Sequence, residues 1–132
     1  MSEARVHPDS GLTNDQAEEL RRMLLDRRRA LLEEHSQHLD LGRYGDDGIS
    51  ESEEAAAQDA ARSTMIDLAE SERKKLAQIA RALQKLENGT YGVSEDSGEP
   101  IGFERLRAIP WATLDTQDQE ARERAARDLG RR

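Results

Sequence analysis

The chain has no cysteine, and its 132 residues include only one tryptophan, one phenylalanine, two tyrosines and three prolines. Without cysteine there is no disulfide and no thiolate metal site. With aromatics at 3% and hydrophobic residues at 35%, a large closed core and a deep apolar substrate pocket are excluded. No apolar run approaches the ~20 residues that span a bilayer. The opening MSEARVHPDS carries no apolar signal stretch, so the cytoplasm is the expected compartment, with no membrane partner. A basic excess is missing as well. The 28 acids outnumber the 20 Lys and Arg, for a formal charge of -8, which argues against DNA coating and direct sequence-specific DNA binding. No Gly-rich phosphate loop, nucleophile elbow or nucleophile–base pair is visible. No catalytic residue is therefore assigned, and no enzyme activity, metal or cofactor is expected.

The acidity that is present is concentrated. Residues 40–59 hold Asp40, Asp46, Asp47, Glu51, Glu53, Glu54 and Asp59 against Arg43 alone, whereas residues 60–132 hold 13 acids and 13 bases. Three of the four aromatics, Tyr91, Phe103 and Trp111, lie near the C-terminus, where a small packed core can form.

Helical periodicity dominates the first two thirds. Ala17, Leu20, Leu24, Leu31 and His38 recur at steps of three, four and seven, which predicts an amphipathic helix from Thr13 or Asn14 as cap to about Leu41. Gly42, Gly45 and Gly48 then break it. Ser50 and Glu53 fit a capping box for a second helix, which has neither proline nor glycine before Asn88-Gly89. Met65, Leu68, Leu76, Ile79, Leu83 and Leu86 are its predicted seam. The fold class is thus mainly α. Residues 1–12 form a flexible N-terminus, and residues 13–88 a long antiparallel coiled-coil hairpin with its tip near 42–56. Residues 89–132 make a small module with short extended pieces, Tyr91–Val93 and Pro100–Phe103. A last helix is capped by Asp115 or Thr116 and ended by Gly130. A monomer is expected. His35 and His38, three apart, could share a metal, but no further ligand is identifiable in the sequence, so a partly exposed surface pair is the better reading. Arg21, Arg22 and Arg27 to Arg29 alternate with acids and read as a solvated face.

GTYG and SGEPIGFERLRAIPWATL, with the spacing between them, resemble the C-terminal module of the DksA/TraR family. The likeness extends back through Ala56-Ala57-Gln58 and more loosely through LTNDQAEELRRMLLDRRRALLEE. The resemblance implies a bacterial transcription regulator whose coil enters the secondary channel of RNA polymerase. It implies that Glu51, Glu54 and Ala56 stand where the family has its tip D-x-x-D-x-A. It also makes the module zinc-finger-like, with Ser94, Ser97, Asp115 and Asp118 at the four cysteine positions. Two hydroxyls and two carboxylates are a poor zinc set. The expectation is a metal-free module held by Tyr91, Ile101, Phe103, Leu106, Trp111 and Leu114, with the serines bonding turn amides. A hard cation held by these oxygens, or a hydrolase built on the aspartate pair, is the weaker alternative. Basic residues that the family uses for the alarmone ppGpp of the stringent response fall on Ser71, Gln78, Ile109 and Gln119, so alarmone synergy should be weak or absent. Arg73, Lys74, Lys75, Arg105 and Arg107 are neighbours that could compensate. The alternative function is a coiled-coil scaffold that no longer regulates polymerase.

Overall fold

A computed structural model describes residues 3–43 and 52–131. Among the described residues four α-helices follow one another: α1 (Asn14–Arg43), α2 (Ser52–Asn88), α3 (Phe103–Ala108) and α4 (Thr116–Gly130). A single 3-10 turn at Pro8–Ser10 precedes them, and extended structure among the described residues is limited to two isolated β-bridges. The chain divides into two units, one of residues 1–25 with 79–132 and one of residues 26–78.

The start of α1 is fixed by a reciprocal cap. Thr13 Oγ1 accepts from the Gln16 amide at 3.1 Å, and Gln16 Oε1 accepts from the Thr13 amide at 2.9 Å. Thr13, not Asn14, is therefore the capping residue. Ser50 and Glu51, expected at the start of α2, lie outside the described residues. Gly89, at φ 76, ends α2, and the Thr90 amide returns to the Lys85 carbonyl at 3.0 Å. This satisfies a carbonyl that the helix end would leave bare.

The α2 seam differs from the predicted one at a single step. Ala69, Glu72, Ile79, Ala82 and Leu86 are buried, and Met65, Leu76 and Leu83 are half-buried, whereas Leu68 is 42% exposed. Positions 65, 69, 72, 76, 79, 83 and 86 alternate steps of four and three, the coiled-coil repeat. Leu68 is one residue out of phase with it. Sequence reading chose the apolar leucine, and the helix instead turns a small alanine and a carboxylate inward.

The first unit contains the main core. Ala17, Leu20 and Leu24 of α1 are buried, together with Ile79 and Leu86 of α2 and Tyr91, Ile101, Leu106 and Leu114 behind them. The expected aromatic glue holds in part, because Phe103 and Trp111 are only half-buried. Arg107 stacks over the Phe103 ring at 5.7 Å. Phe103 opens α3 and does not extend a strand; the extended pairing is the single bridge between Val93 and Pro100.

The N-terminal stretch corrects the expectation of a flexible lead. From Ala4 onward it is a strap on the first unit. Its Ala4 amide donates to Glu18 Oε1 at 3.1 Å, and its Arg5 and His7 amides donate to the Leu86 and Tyr91 carbonyls at 2.8 Å each. Val6 forms a parallel bridge with Tyr91. Ser10 is buried against Gly92, where an added Cβ would stand 2.6 Å from the Ser10 Cβ.

The second unit is thinner. Leu31 and Ala69 are buried there, with Glu72, while Leu32, Leu39, Leu41, Ile66 and Leu68 are exposed. α4 lies in the first unit and buries no side chain, so its alanines and Leu129 face solvent. No described helix is long and apolar enough to cross a membrane.

Candidate functional site

The turn after Tyr91 and the start of α4 converge. The Ser94 amide donates to the Glu99 carbonyl at 2.8 Å and the Gly98 amide to the Ser94 carbonyl at 2.9 Å, closing a tight turn. A second strut reaches across from the Glu95 amide to the Thr113 carbonyl at 2.8 Å. Asp115 is extended and caps α4 by accepting from the Asp118 amide at 2.7 Å, which decides between the two candidate caps.

These contacts bring Ser94, Ser97, Asp115 and Asp118 into one cluster. Both serine hydroxyls donate to the same atom, Asp118 Oδ2, each at 2.5 Å. The same hydroxyls accept from turn amides: Ser94 Oγ from Asp96 at 3.4 Å, Ser97 Oγ from Glu99 at 3.2 Å. The Ser94 hydroxyl, then that of Ser97, holds the Asp118 carboxyl below its ordinary range, because a doubly hydrogen-bonded anion resists protonation.

A ring of ion pairs surrounds the cluster. Arg122 Nε donates to Asp96 Oδ2 at 2.7 Å and lowers its pKa. Glu95 is approached by Lys85 at 2.8 Å and Arg81 at 2.7 Å. Burial alone would raise the Glu95 pKa; the two cations together outweigh it and lower it. The hydrogen bonds tie the turn to α4 and to the end of α2.

Of the other predicted residues, Glu54 and Ala56 are exposed in the first turns of α2, with Glu53 beside them. Glu51 lies outside the described residues. Ser71, Gln78 and Ile109 are exposed, and Gln119 Nε2 donates to Glu123 at 3.1 Å. Sequence reading missed Glu72, which sits in the seam facing His35 and His38. It missed the Asp96–Arg122 and Glu95–Lys85 pairs as well. Only the turn signal Pro8-Asp9-Ser10-Gly11 hinted at the strap.

No family model matches the chain. It is 31% identical to the RNA polymerase-binding transcription factor DksA of Caulobacter vibrioides over 127 residues, covering 96% of this chain and 89% of that protein. The chain belongs to the DksA/TraR family. The structure of transcription factor DksA2 from Pseudomonas aeruginosa superposes on it with a TM-score of 0.78 at 32% identity, covering 86% of this chain and 87% of that one. General stress protein 16O of Bacillus subtilis matches a shorter stretch, 46% identical over 50 residues, or 38% of this chain and 31% of that protein. Against the cysteine pattern of the family, the Ser94–Ser97–Asp115–Asp118 cluster does not suit zinc. Its hydroxyls are neutral and point their hydrogens at a carboxylate, and Asp115 is engaged as a helix cap.

Proposed function

We propose that this chain is a transcription regulator, not an enzyme, that binds RNA polymerase through the secondary channel. The 31% identity to a polymerase-binding DksA over nearly the whole chain carries this reading. The acidic start of α2, with Glu54 and Ala56 exposed and Glu51 before them in sequence, is the tip that meets the enzyme. A tip of such charge suits a basic or metal-containing pocket.

The module behind the coil works without zinc. Ser94, Ser97 and Asp118 hold one another by hydrogen bonds where the family pattern has thiolates, and the buried Tyr91, Leu106 and Leu114 supply the core. Synergy with ppGpp is weak or absent, because Ser71, Gln78, Ile109 and Gln119 offer no cation to a polyanionic nucleotide. The regulator acts as a cytoplasmic monomer.

Competition with a known secondary-channel binder for purified polymerase tests the reading. Displacement supports it. Failure to bind polymerase at all overturns it in favour of a coiled-coil scaffold, for which the exposed leucines of the second unit would be the associating face. Promoter output titrated with and without ppGpp tests the alarmone claim separately.

A further inference from the structure

The second unit carries an apolar stripe with opposite charges at its two ends. Leu32 and Leu39, 51% and 43% exposed, are one heptad apart on α1 and so share a face. Leu39 and Ile66, itself 55% exposed, line a groove of about 510 Å³ together with Ala69 of α2. Single exposed leucines are ordinary on a protein surface. A groove of apolar residues continued by a heptad neighbour is a contact surface. Charge divides along the same unit. Residues 26–29 and 73–78 hold six bases against Asp26. Arg27, Arg28 and Arg29 are exposed, and none of them is in an ion pair among the described residues. The opposite end, residues 40–59, holds seven acids against Arg43.

The contact between His38 and Glu72, at 2.8 Å, sets the register of the two helices. Toward the acidic end α1 runs forward and α2 runs backward. Leu32 stands six residues before His38, and Ile66 six residues before Glu72. The two therefore lie ~9 Å from the His38–Glu72 level, on opposite sides of it. The stripe is self-complementary about a two-fold axis at that level. We propose that the free chain pairs with a second copy of itself, antiparallel, through this face of the second unit. Leu32 of each copy then meets Ile66 of the other, and the two Leu39 side chains meet near the axis.

Charge selects the same arrangement. The axis lays the basic end of each copy along the acidic end of the other. Arg28, ten residues before His38, stands ~15 Å from the axis level, and Asp59, thirteen residues before Glu72, ~20 Å on the other side. An arginine side chain spans the difference, and the Asp59 side chain stays 72% exposed beside Arg62 at 3.6 Å. A parallel pair would set acid on acid and base on base. A second copy matches the stripe and both charged ends in one register, which makes it the occupant. The apolar stripe is short, so the pair is weak and depends on concentration. Pairing also covers the acidic start of α2, which makes the pair a resting form and the single chain the one that acts. That consequence rests on the polymerase reading, whereas the pairing does not, and a chain that failed to bind polymerase would still pair.

Sedimentation velocity of the tag-free full chain, from about 1 to 500 µM, tests the pairing. The mass should rise with concentration from one chain to two, and raising salt from about 0.05 to 0.5 M should lower the paired fraction. L39K and I66K change exposed side chains, so folding is retained, which circular dichroism checks. Each should weaken pairing about tenfold or more. R28E/R29E and E54K/D59K should each fail to pair alone. An equimolar mixture of the two should pair again, because each chain then meets the opposite charge at both ends. A single-chain mass at every concentration overturns the proposal. Pairing that survives both L39K and I66K, or a charge-reversed mixture that stays unpaired, overturns it too.

Discussion

Ser97 donates its hydroxyl to Asp118 Oδ2 at 2.5 Å, across 21 residues of sequence, and Ser94 donates to the same oxygen. One carboxylate thereby ties the turn at 94–99 to the first turn of α4. The link is ionic in character, so it depends on pH. The Asp118 pKa is lowered from its ordinary 3.8, first by Ser94 and then by Ser97. A depressed carboxyl contributes stability that is fully present above the unfolded pKa and is lost as pH falls through the folded one. The wild type should lose stability below about pH 4, and D118N should lose less over the same range. At neutral pH, D118N should melt about 2–5 °C lower than wild type. Thermal melts by circular dichroism between about pH 6 and pH 2 check both expectations. A D118N protein with the same acid profile as wild type contradicts the assignment.

Tyr91 anchors the other side of the module. Its hydroxyl donates to the Pro110 carbonyl at 2.7 Å, and the ring is buried. Burial pushes its phenol well above the usual range, so it stays a neutral donor. Y91F keeps the ring and strands a buried carbonyl, at a cost of about 1–3 kcal/mol. Y91A also opens a cavity and should cost about 3–5 kcal/mol. Urea unfolding followed by Trp111 fluorescence separates the two.

Both anchors show what the sequence could and could not reveal. Asp115 as a helix cap, the two long helices and the Asn88-Gly89 stop are local, written in caps, periodicity and glycine. The pairing of Ser94 and Ser97 with Asp118 spans more than twenty residues and has no local signature. Glu72 was invisible for a different reason. A reading that seeks apolar residues places Leu68 in the seam, while the heptad phase puts Ala69 and Glu72 there. The partner of the His35–His38 pair, the buried Glu72, had no signature beside them in sequence because it comes from another helix.

Gly92 should be intolerant of any side chain. It sits at φ 103, and an added Cβ would meet the Ser10 Cβ at 2.6 Å and Leu12 Cδ1 at 2.9 Å. Backbone strain and the clash act together, so G92A should cost on the order of 2–4 kcal/mol. The strap should be the part that yields. Hydrogen exchange at the Arg5 and His7 amides, which donate to Leu86 and Tyr91, should accelerate in G92A more than exchange in α1. Uniform acceleration across the unit would mean that the strap is not a separate latch.

Chelation should leave the module folded. Its glue is the buried set of Tyr91, Ile101, Leu106 and Leu114 together with the Asp118, Asp96 and Glu95 pairs. A structural zinc site would contribute much of the folding free energy, and its removal would unfold the domain. An excess of EDTA should therefore leave the Trp111 fluorescence and the melting temperature of the purified, unstripped protein unchanged. A chelator-induced loss of the Trp111 signal would contradict the metal-free reading.

E54K separates function from stability. Glu54 is exposed in the first turn of α2, where an acid gains about 0.3–1 kcal/mol from the positive helix end. Reversing its charge therefore costs little in folding, and far-UV circular dichroism should be unchanged. The effect at a polymerase would be larger, because a lysine presents a positive group where the partner pocket is matched to a negative one. Transcription by purified polymerase on a responsive promoter should lose its dependence on the protein, while E87K, an exposed change at the other end of α2, should keep it. If E54K regulates as wild type does, the acids at the start of α2 are ordinary helix-start chemistry and the contact with polymerase lies elsewhere on the chain.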